Sequence, residues 1–275
     1  MKYNRCLLLF LFCIFFKNTL AQDTIKNQVN SKLAIVKGAT FTETLLNVGK
    51  SFINVPYVGQ TLEGPKEVLV CKLDGLDCYT FVENVLALTN TIYSANPTFE
   101  KYKAHLKTLR YRNGTIAGYA SRIHYFSEWA TQASQLNYLD DITRTHGSVL
   151  PKKVNFMSTH RKSYKAFAED TWVLAQIQKM EKNIENNQIY HIPRAQFITN
   201  QKLIQDGDIV AFTSTVDGLD VNHEGFAIWD KGVLKFMHAS LEKKKVIIST
   251  ESILEYINRI HKHAGVMVLR PKLKA

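Results

Sequence analysis

A cysteine stands where a helix should begin, in the tract Leu76-Asp77-Cys78-Tyr79-Thr80-Phe81-Val82-Glu83. Two histidines lie far downstream in strand-like surroundings, Asn222-His223-Glu224-Gly225 and Met237-His238-Ala239-Ser240. The unpaired N–H groups and dipole of a helix start favour a thiolate. An imidazole beside that sulfur can hold it as an ion pair and later protonate a leaving amine. A third polar group must orient the imidazole through its other nitrogen. Cys78 is therefore the candidate nucleophile, His223 its partner and His238 the orienting group.

Bringing these residues together is the task of the flanking elements. From Cys78 onward Phe81, Val82, Val85, Leu86, Leu88 and Ile92 recur at three- and four-residue steps. That spacing predicts an amphipathic helix ending near Ser94-Ala95-Asn96-Pro97. Upstream, 31–54 reads as one helix. Val55-Pro56-Tyr57-Val58-Gly59 breaks it, because proline disfavours helix in the residue before it. The stretch 98–200 reads as mostly helical, with apolar stripes at 99–109, 119–136 and 166–184. The period then shortens. Strands are expected at 207–212, at 223–229 and 233–238 as a hairpin around Asp230-Lys231-Gly232, at 246–248 and at 266–269, with a short helix after Thr250. Helices first and strands later indicate an α+β fold with an antiparallel sheet.

The hairpin carries a geometric condition. Side chains alternate across a strand. His223 and His238 share a face only if Gly225 lies opposite His238, as a two-residue Lys231-Gly232 turn would arrange; a slip of one residue separates them. Spacing alone does not bring this hairpin to Cys78.

The first residues read as a targeting signal. Lys2 and Arg5 precede an apolar run from Cys6 to Phe16, too short to span a bilayer, and Thr19-Leu20-Ala21 offers small residues for cleavage before Gln22. Cys13, flanked by bulky residues, is a poor lipoprotein site. An exported chain of one domain, 22–275, is expected, with no stable membrane insertion. Losing residues 1–21 removes Lys2, Arg5 and Lys17 and no acid, so the net charge of +11 becomes +8. That balance suits acidic partners. Arginine and lysine are not interleaved with aromatics in the manner of nucleic-acid binders, so no nucleic-acid partner is expected. Only Cys71 and Cys78 remain, too few for a disulfide framework. Cys71 reads as a small buried apolar residue.

These tracts resemble the papain-like bacterial cell-wall hydrolases of the NlpC superfamily. The resemblance rests on Asp77-Cys78-Tyr79-Thr80-Phe81-Val82, His223-Glu224-Gly225 and His238-Ala239-Ser240, in order, with Val55-Pro56-Tyr57-Val58-Gly59 and Gly207-Asp208-Ile209-Val210. The N-acetylmuramoyl-L-alanine amidase-like branch is closer still, through residues 77–84, Tyr111-Arg112-Asn113-Gly114 and the tract from Tyr119 to Phe126. Glu224 departs from the branched apolar residue usual between that histidine and glycine. The resemblance implies a papain-like core, its antiparallel sheet packed on the helix bearing the nucleophile, with a helical insertion at about 98–200. It implies an exported, periplasmic cysteine amidase that cuts the lactyl amide between N-acetylmuramic acid, as the 1,6-anhydro form, and L-alanine through a thioester. The substrates would be peptidoglycan fragments. The Cys78 N–H and the Tyr57 hydroxyl are oxyanion candidates, and Asp77, Arg112, Arg122 and His124 are substrate-contact candidates. The alternatives are a stem-peptide endopeptidase on the same fold and a non-catalytic muropeptide-binding protein.

Plainer roles compete for several of these residues. Asp77 suits a helix cap, and Tyr57 suits a packed turn. Asp140-Asp141 reads as a solvated turn. His261 and His263 would share a strand face but have no adjacent acidic or cysteine ligands, so no metal is expected. With no glycine-rich phosphate loop, no cofactor is expected either.

Overall fold

The computed structural model describes residues 23–274. The expected signal segment 1–21, Cys13 within it and the expected cleavage point before Gln22 lie outside the described residues. Within them, no helix is long and apolar enough to cross a membrane.

The described residues open with a helix, α1, over 23–33. It does not run on to residue 54. Residues 34–40 interrupt it, and α2 (Phe41–Lys50) starts afresh at Thr40, whose hydroxyl accepts from the Glu43 N–H. A hydroxyl in extended backbone one residue before a helix is a strong start signal, and here it outweighs the continuing apolar pattern. The loop over 51–76 then leads to α3 (Cys78–Tyr93), which does stop at Ser94. Next come α4 (Phe99–Arg110) and α5 (Phe126–Gln135).

The segment 98–200 is rich in helix, but it also supplies sheet. It contributes β1 (Leu139–Asp141), β2 (Ser148–Val149) and β3 (Tyr190–Pro193). Around them lie α6 (Thr143–His146), α7 (Phe156–Thr159), α8 (Thr171–Glu185) and α9 (Phe197–Asn200). Asp140-Asp141 is thus a strand pairing with Arg270 and Leu269 rather than a solvated turn, and Asp140 bonds Lys272 at 2.6 Å. Short strands of two to four residues leave too little alternation to be read from sequence.

The C-terminal third is β4 (Ile209–Ser214), β5 (Val221–Asp230), β6 (Val233–Ser240), β7 (Lys245–Ile248), α10 (Ile253–Arg259) and β8 (His263–Pro271). The sheet is antiparallel, in the order β2-β3-β8-β4-β5-β6-β7, with β1 also on β8. The β5–β6 turn is the two-residue kind: Asp230 pairs with Val233, and Lys231 and Gly232 both take positive φ, 50° and 80°. Such a turn matches the strand twist and fixes the register.

Alternation divides the sheet between two cores. Ile209, Ala211, Phe226, Met237, Ala239, Met267 and Leu269 join the larger cluster, with α3. Val210, Phe212, Ala227, Leu234, Phe236, Val266 and Val268 face the other way, onto Ile253 and Ile257 of α10. Helix α3 is walled in by α2, α4, β5 and β6. Its residues from Thr80 to Ile92 are all buried, so the expected polar face does not reach solvent. Its polar members turn inward on their own helix: Asn84, Thr89, Asn90 and Thr91 each bond a carbonyl four residues back. Glu83 is ion-paired with Arg110 at 2.8 Å, both essentially inaccessible.

Candidate active site

Cys78 is the first residue of α3, and its position follows from the cap. The Asp77 carboxylate accepts from the Thr80 N–H at 2.8 Å and the Thr80 hydroxyl at 2.7 Å. The Asp77 N–H returns a bond to that hydroxyl at 3.0 Å. This reciprocal box aims the first turn, and with it the sulfur.

The sulfur lies against β5. Backbone N–H groups of Tyr79 and Glu224 act on it, and the Glu224 carboxyl lies near it. The register explains the vacant donor. The Ala227 N–H bonds the Asp208 carbonyl on the β4 side. Alternation then sends the Glu224 N–H toward β6. The β5–β6 pairing runs only from Asp230–Val233 to Phe226–Met237. Beyond Gly225 and His238 the β5–β6 ladder does not continue, which leaves the Glu224 N–H without a strand acceptor and facing the sulfur.

His223 and His238 flank that opening on the α10 face. The register sets Gly225 level with His238, the condition for a shared face. A side chain at residue 225 would meet the Met237 carbonyl at 2.5 Å and His238 Cβ at 2.9 Å, so glycine lets the strands close here. His223 Nε2 and His238 Nδ1 are 2.6 Å apart. With the proton on Nε2, His223 donates to His238 and keeps a lone pair on Nδ1, the nitrogen left to face a proton donor. The structure thus brings Cys78 to residue 224 and the paired rings to residues 223 and 238. Among the described residues the sulfur's bonds go to Tyr79 and Glu224 rather than to an imidazole; such catalytic contacts often tighten only with substrate bound.

Tyr57 and Tyr256 approach from two sides. Tyr57 is anchored by its N–H to the Lys244 carbonyl at 2.8 Å, and Val58 and Leu76 hold the same loop beside Cys78. Burial first, then the Cys78, Asp77 and Glu224 charges, push the Tyr57 hydroxyl up, so it keeps its proton and remains a donor. Tyr256 of α10 lies 6.0 Å, ring to ring, from both His223 and His238. Its hydroxyl is also pushed up, by burial and then by Cys78.

The electrostatics depart from the ion pair expected of Cys78. Burial pushes the thiol well up, and Glu224 and Asp77 add to this; the N–H groups of Glu224 and Tyr79 oppose it without prevailing. Burial also holds His223 well below the usual imidazole range, with His238 and His263 adding to it, and holds His238 at about 3. At neutral pH the resting set is a thiol beside two neutral rings. The helix dipole, felt mainly in the first turn, is outweighed by desolvation and acids.

A cleft of about 140 Å3 opens at the start of α3, lined by Gln60, Leu62, Asp77, Tyr79, Arg122 and His124 among others. Arg122 is bound by Glu63 at 2.8 Å and Glu67 at 3.2 Å, and it stacks on Tyr119. Its charge therefore clamps the loop over 60–67 to the tract 119–124. His124 stacks on Tyr119 at 4.6 Å and bonds its carbonyl at 3.0 Å. Burial and then Arg122 keep it neutral. Arg112 is taken up by Glu128 and the Ala120 carbonyl, a brace behind the same tract. Cys71 and Cys78 are both free thiols.

Two residues at this site escape sequence reasoning. Glu224 is 4% exposed, on the α3 face of β5. Its signal in the sequence was the departure from the branched apolar residue usual between that histidine and glycine, which assigned it no role. Tyr256 lies in a helix of ordinary composition, with no local sign of the histidines it touches.

A family model described as AmiA-like, N-acetylmuramoyl-L-alanine amidase-like, matches residues 47–266. Among solved structures, an N-acetylmuramoyl-L-alanine amidase from Bacteroides uniformis is similar at 33% identity and a TM-score of 0.80, over 84% of this chain and 99% of that one. A Bacteroides fragilis structure described as a candidate xylanase is also 33% identical, with a TM-score of 0.75, over 81% of this chain and 98% of that one. A Legionella pneumophila protein of the DUF1460 family, 20% identical with a TM-score of 0.66 over 92% of this chain and 95% of that one, shares the fold. No curated protein matches the chain.

Proposed function

We propose, for a chain that belongs to the AmiA-like, N-acetylmuramoyl-L-alanine amidase-like family, that it is an exported cysteine amidase of the papain-like NlpC superfamily, one domain with a helical insertion. Its substrates are peptidoglycan fragments, 1,6-anhydro-muramyl peptides above all, and it cuts between the muramic acid and L-alanine. One observation carries this: the sulfur of Cys78 sits at a helix start, in the opening between β5 and β6, one residue from a hydrogen-bonded histidine pair.

In this mechanism the Nδ1 of His223 takes the thiol proton as the sulfur attacks the lactyl carbonyl. His238 holds the ring and shares the positive charge that forms. The oxyanion meets the Cys78 N–H and the Tyr57 hydroxyl; one such donor is typically worth about 3–4 kcal/mol. His223 then returns the proton to the alanine nitrogen, the C–N bond breaks, and water hydrolyses the thioester. The cleft with Asp77, Arg122 and His124 receives the substrate, and Arg112 supports it from behind.

The product test is direct. Incubation with a defined anhydro-muropeptide, followed by mass analysis, is expected to release the intact stem peptide and the free sugar acid. Shortened stems would replace this conclusion with an endopeptidase, and tight binding without turnover would replace it with a binding protein. His238→Ala is expected to lower kcat by roughly 10²-fold with little change in KM, because the group acts through the base rather than on bound substrate. Steady-state kinetics on the same fragment checks this.

A further inference from the structure

One ring of α10 reaches every member of the aromatic group around the histidine pair. Tyr256 lies 4.9 Å, centre to centre, from both Phe212 and Phe236 and 5.2 Å from His263. It lies 6.0 Å from both His223 and His238. The neighbouring rings each cover part of the pair: Phe236 stacks on His238 at 4.1 Å, and Phe212 lies nearly parallel to His223 at 6.2 Å. Those five rings are buried, whereas Tyr256 is half-buried. Tyr256 therefore stands between the pair and solvent on the α10 side.

Its placement is secured on both faces. A reciprocal box between Ser252 and Glu255 starts α10, and Ile253 and Ile257 are buried in the core beneath. On the outer face the Arg259 guanidinium lies over the Tyr256 ring at 5.5 Å, and Glu251 and Glu242 hold that guanidinium at 2.5 and 3.2 Å. What lies underneath is a single hydrogen bond, His223 Nε2 to His238 Nδ1 at 2.6 Å. Among the described residues neither ring bonds a carboxylate, so this bond decides which nitrogen of His223 carries the proton. Water reaching it would compete for both nitrogens and let the proton move to Nδ1, where the base needs a lone pair. In a dry setting the bond is stronger and the tautomer is held.

We propose that Tyr256 is a positioning residue for the histidine pair: its ring, clamped by Arg259, keeps water from the His223–His238 hydrogen bond and so holds His223 in the neutral form whose Nδ1 can take a proton. The inference rests on His223 being the base of the proposed amidase. The titratable groups around His223 are His238 from β6, His263 from β8 and Tyr256 from α10. Beyond them, Cys78 of α3 acts on Tyr256, and Arg194 and Arg259 act on His263. Glu224 lies on the opposite face of β5. Burial first, then His238 and His263, hold His223 well below the usual imidazole range. Removing the ring admits water and relieves the burial, so His223 binds its proton at higher pH. The base acts only when neutral, so the acid limb of the activity profile moves up with it.

The test compares the parent with Tyr256→Phe, Tyr256→Ala and Tyr256→Leu. The leucine keeps apolar bulk against Ile253 and Ile257, which guards against an alanine variant that does not fold. Imidazole nitrogen shifts of His223 and His238 are followed by NMR on histidine-labelled protein from pH 4 to 8, without substrate. Next, kcat and KM on the anhydro-muropeptide are measured from pH 5 to 8. Tyr256→Phe, which keeps the ring, is expected to follow the parent in both. Tyr256→Ala and Tyr256→Leu should protonate the pair about one pH unit higher and lose the single Nε2-protonated tautomer of His223. Their kcat at pH 5 should fall by about tenfold, the effect of one unit on an acid limb, with KM nearly unchanged. Parental shifts and a parental acid limb in both would overturn the inference and leave the amidase standing. A phenylalanine variant that behaves like alanine would also overturn it, since the ring alone would then not suffice. Altered shifts with no turnover by any of the four proteins would uphold the enclosure and sink the amidase.

Discussion

Replacing Cys78 by serine is expected to abolish turnover of an anhydro-muropeptide, lowering kcat by at least about 10⁴-fold, as loss of a nucleophile that works as a unit with its base does elsewhere. The structure supplies the reason the loss should be chemical rather than structural. A serine oxygen can accept the same two N–H groups that now meet the sulfur, from Tyr79 and Glu224. The Asp77 cap, which aims the turn, does not involve residue 78. The variant should thus melt within about 0.5 kcal/mol of the parent, as substitutions that break no buried contact do. What it loses is acidity and nucleophilic power: the neutral His223 can take a proton from a thiol far more readily than from an alcohol. Single-turnover mass analysis beside a melting curve checks both halves. Cleavage by the serine variant at the parental rate would end the thiol mechanism.

Arg110→Met is expected to produce the largest loss of stability, about 3–5 kcal/mol, because removal of one partner strands a buried charge. The guanidinium donates to Glu83 at 2.8 Å and to the Val70 carbonyl at 2.5 Å, and neither side chain reaches solvent. Its removal leaves the Glu83 carboxylate in the middle of α3 with apolar neighbours. Burial already pushes Glu83 up, and Arg110 is the main force holding it down. Without that cation the folded-state carboxyl keeps its proton to higher pH than the unfolded chain does. The variant then loses stability as pH rises above the ordinary carboxylate range and regains it in mild acid. Urea unfolding at pH 5 and pH 8 should show the gap to the parent narrowing at pH 5. Adding Glu83→Leu should restore much of the loss, since an apolar pair of similar volume replaces the ions. Equal stability of Arg110→Met and parent at pH 8 would mean that the pair contributes nothing.

Much of the architecture was legible because it is written in period. The hairpin followed from two alternating runs around Lys231-Gly232, and its two-residue turn decided that His223 and His238 share a face. The start of α3 followed from Asp77, and its end from Ser94. Other features depend on distant partners. The break at 34–40 was masked by apolar residues on both sides. The strands β1, β2 and β3 are too short to alternate visibly, and β1 and β3 are strands because β8 lies beside them. The protonation state of Cys78 was the most consequential miss. A helix start argues for a thiolate locally, whereas burial first, and then the acids at residues 224 and 77, far apart in the chain, argue against it.

The parted rung between β5 and β6 has one more consequence. Strands with idle donors are ordinarily places where a second chain can add itself and seed aggregation. Here the stretch without β5–β6 pairing lies inside the sheet, because β4 pairs the far side of β5 and β7 the far side of β6, so it is not a free edge.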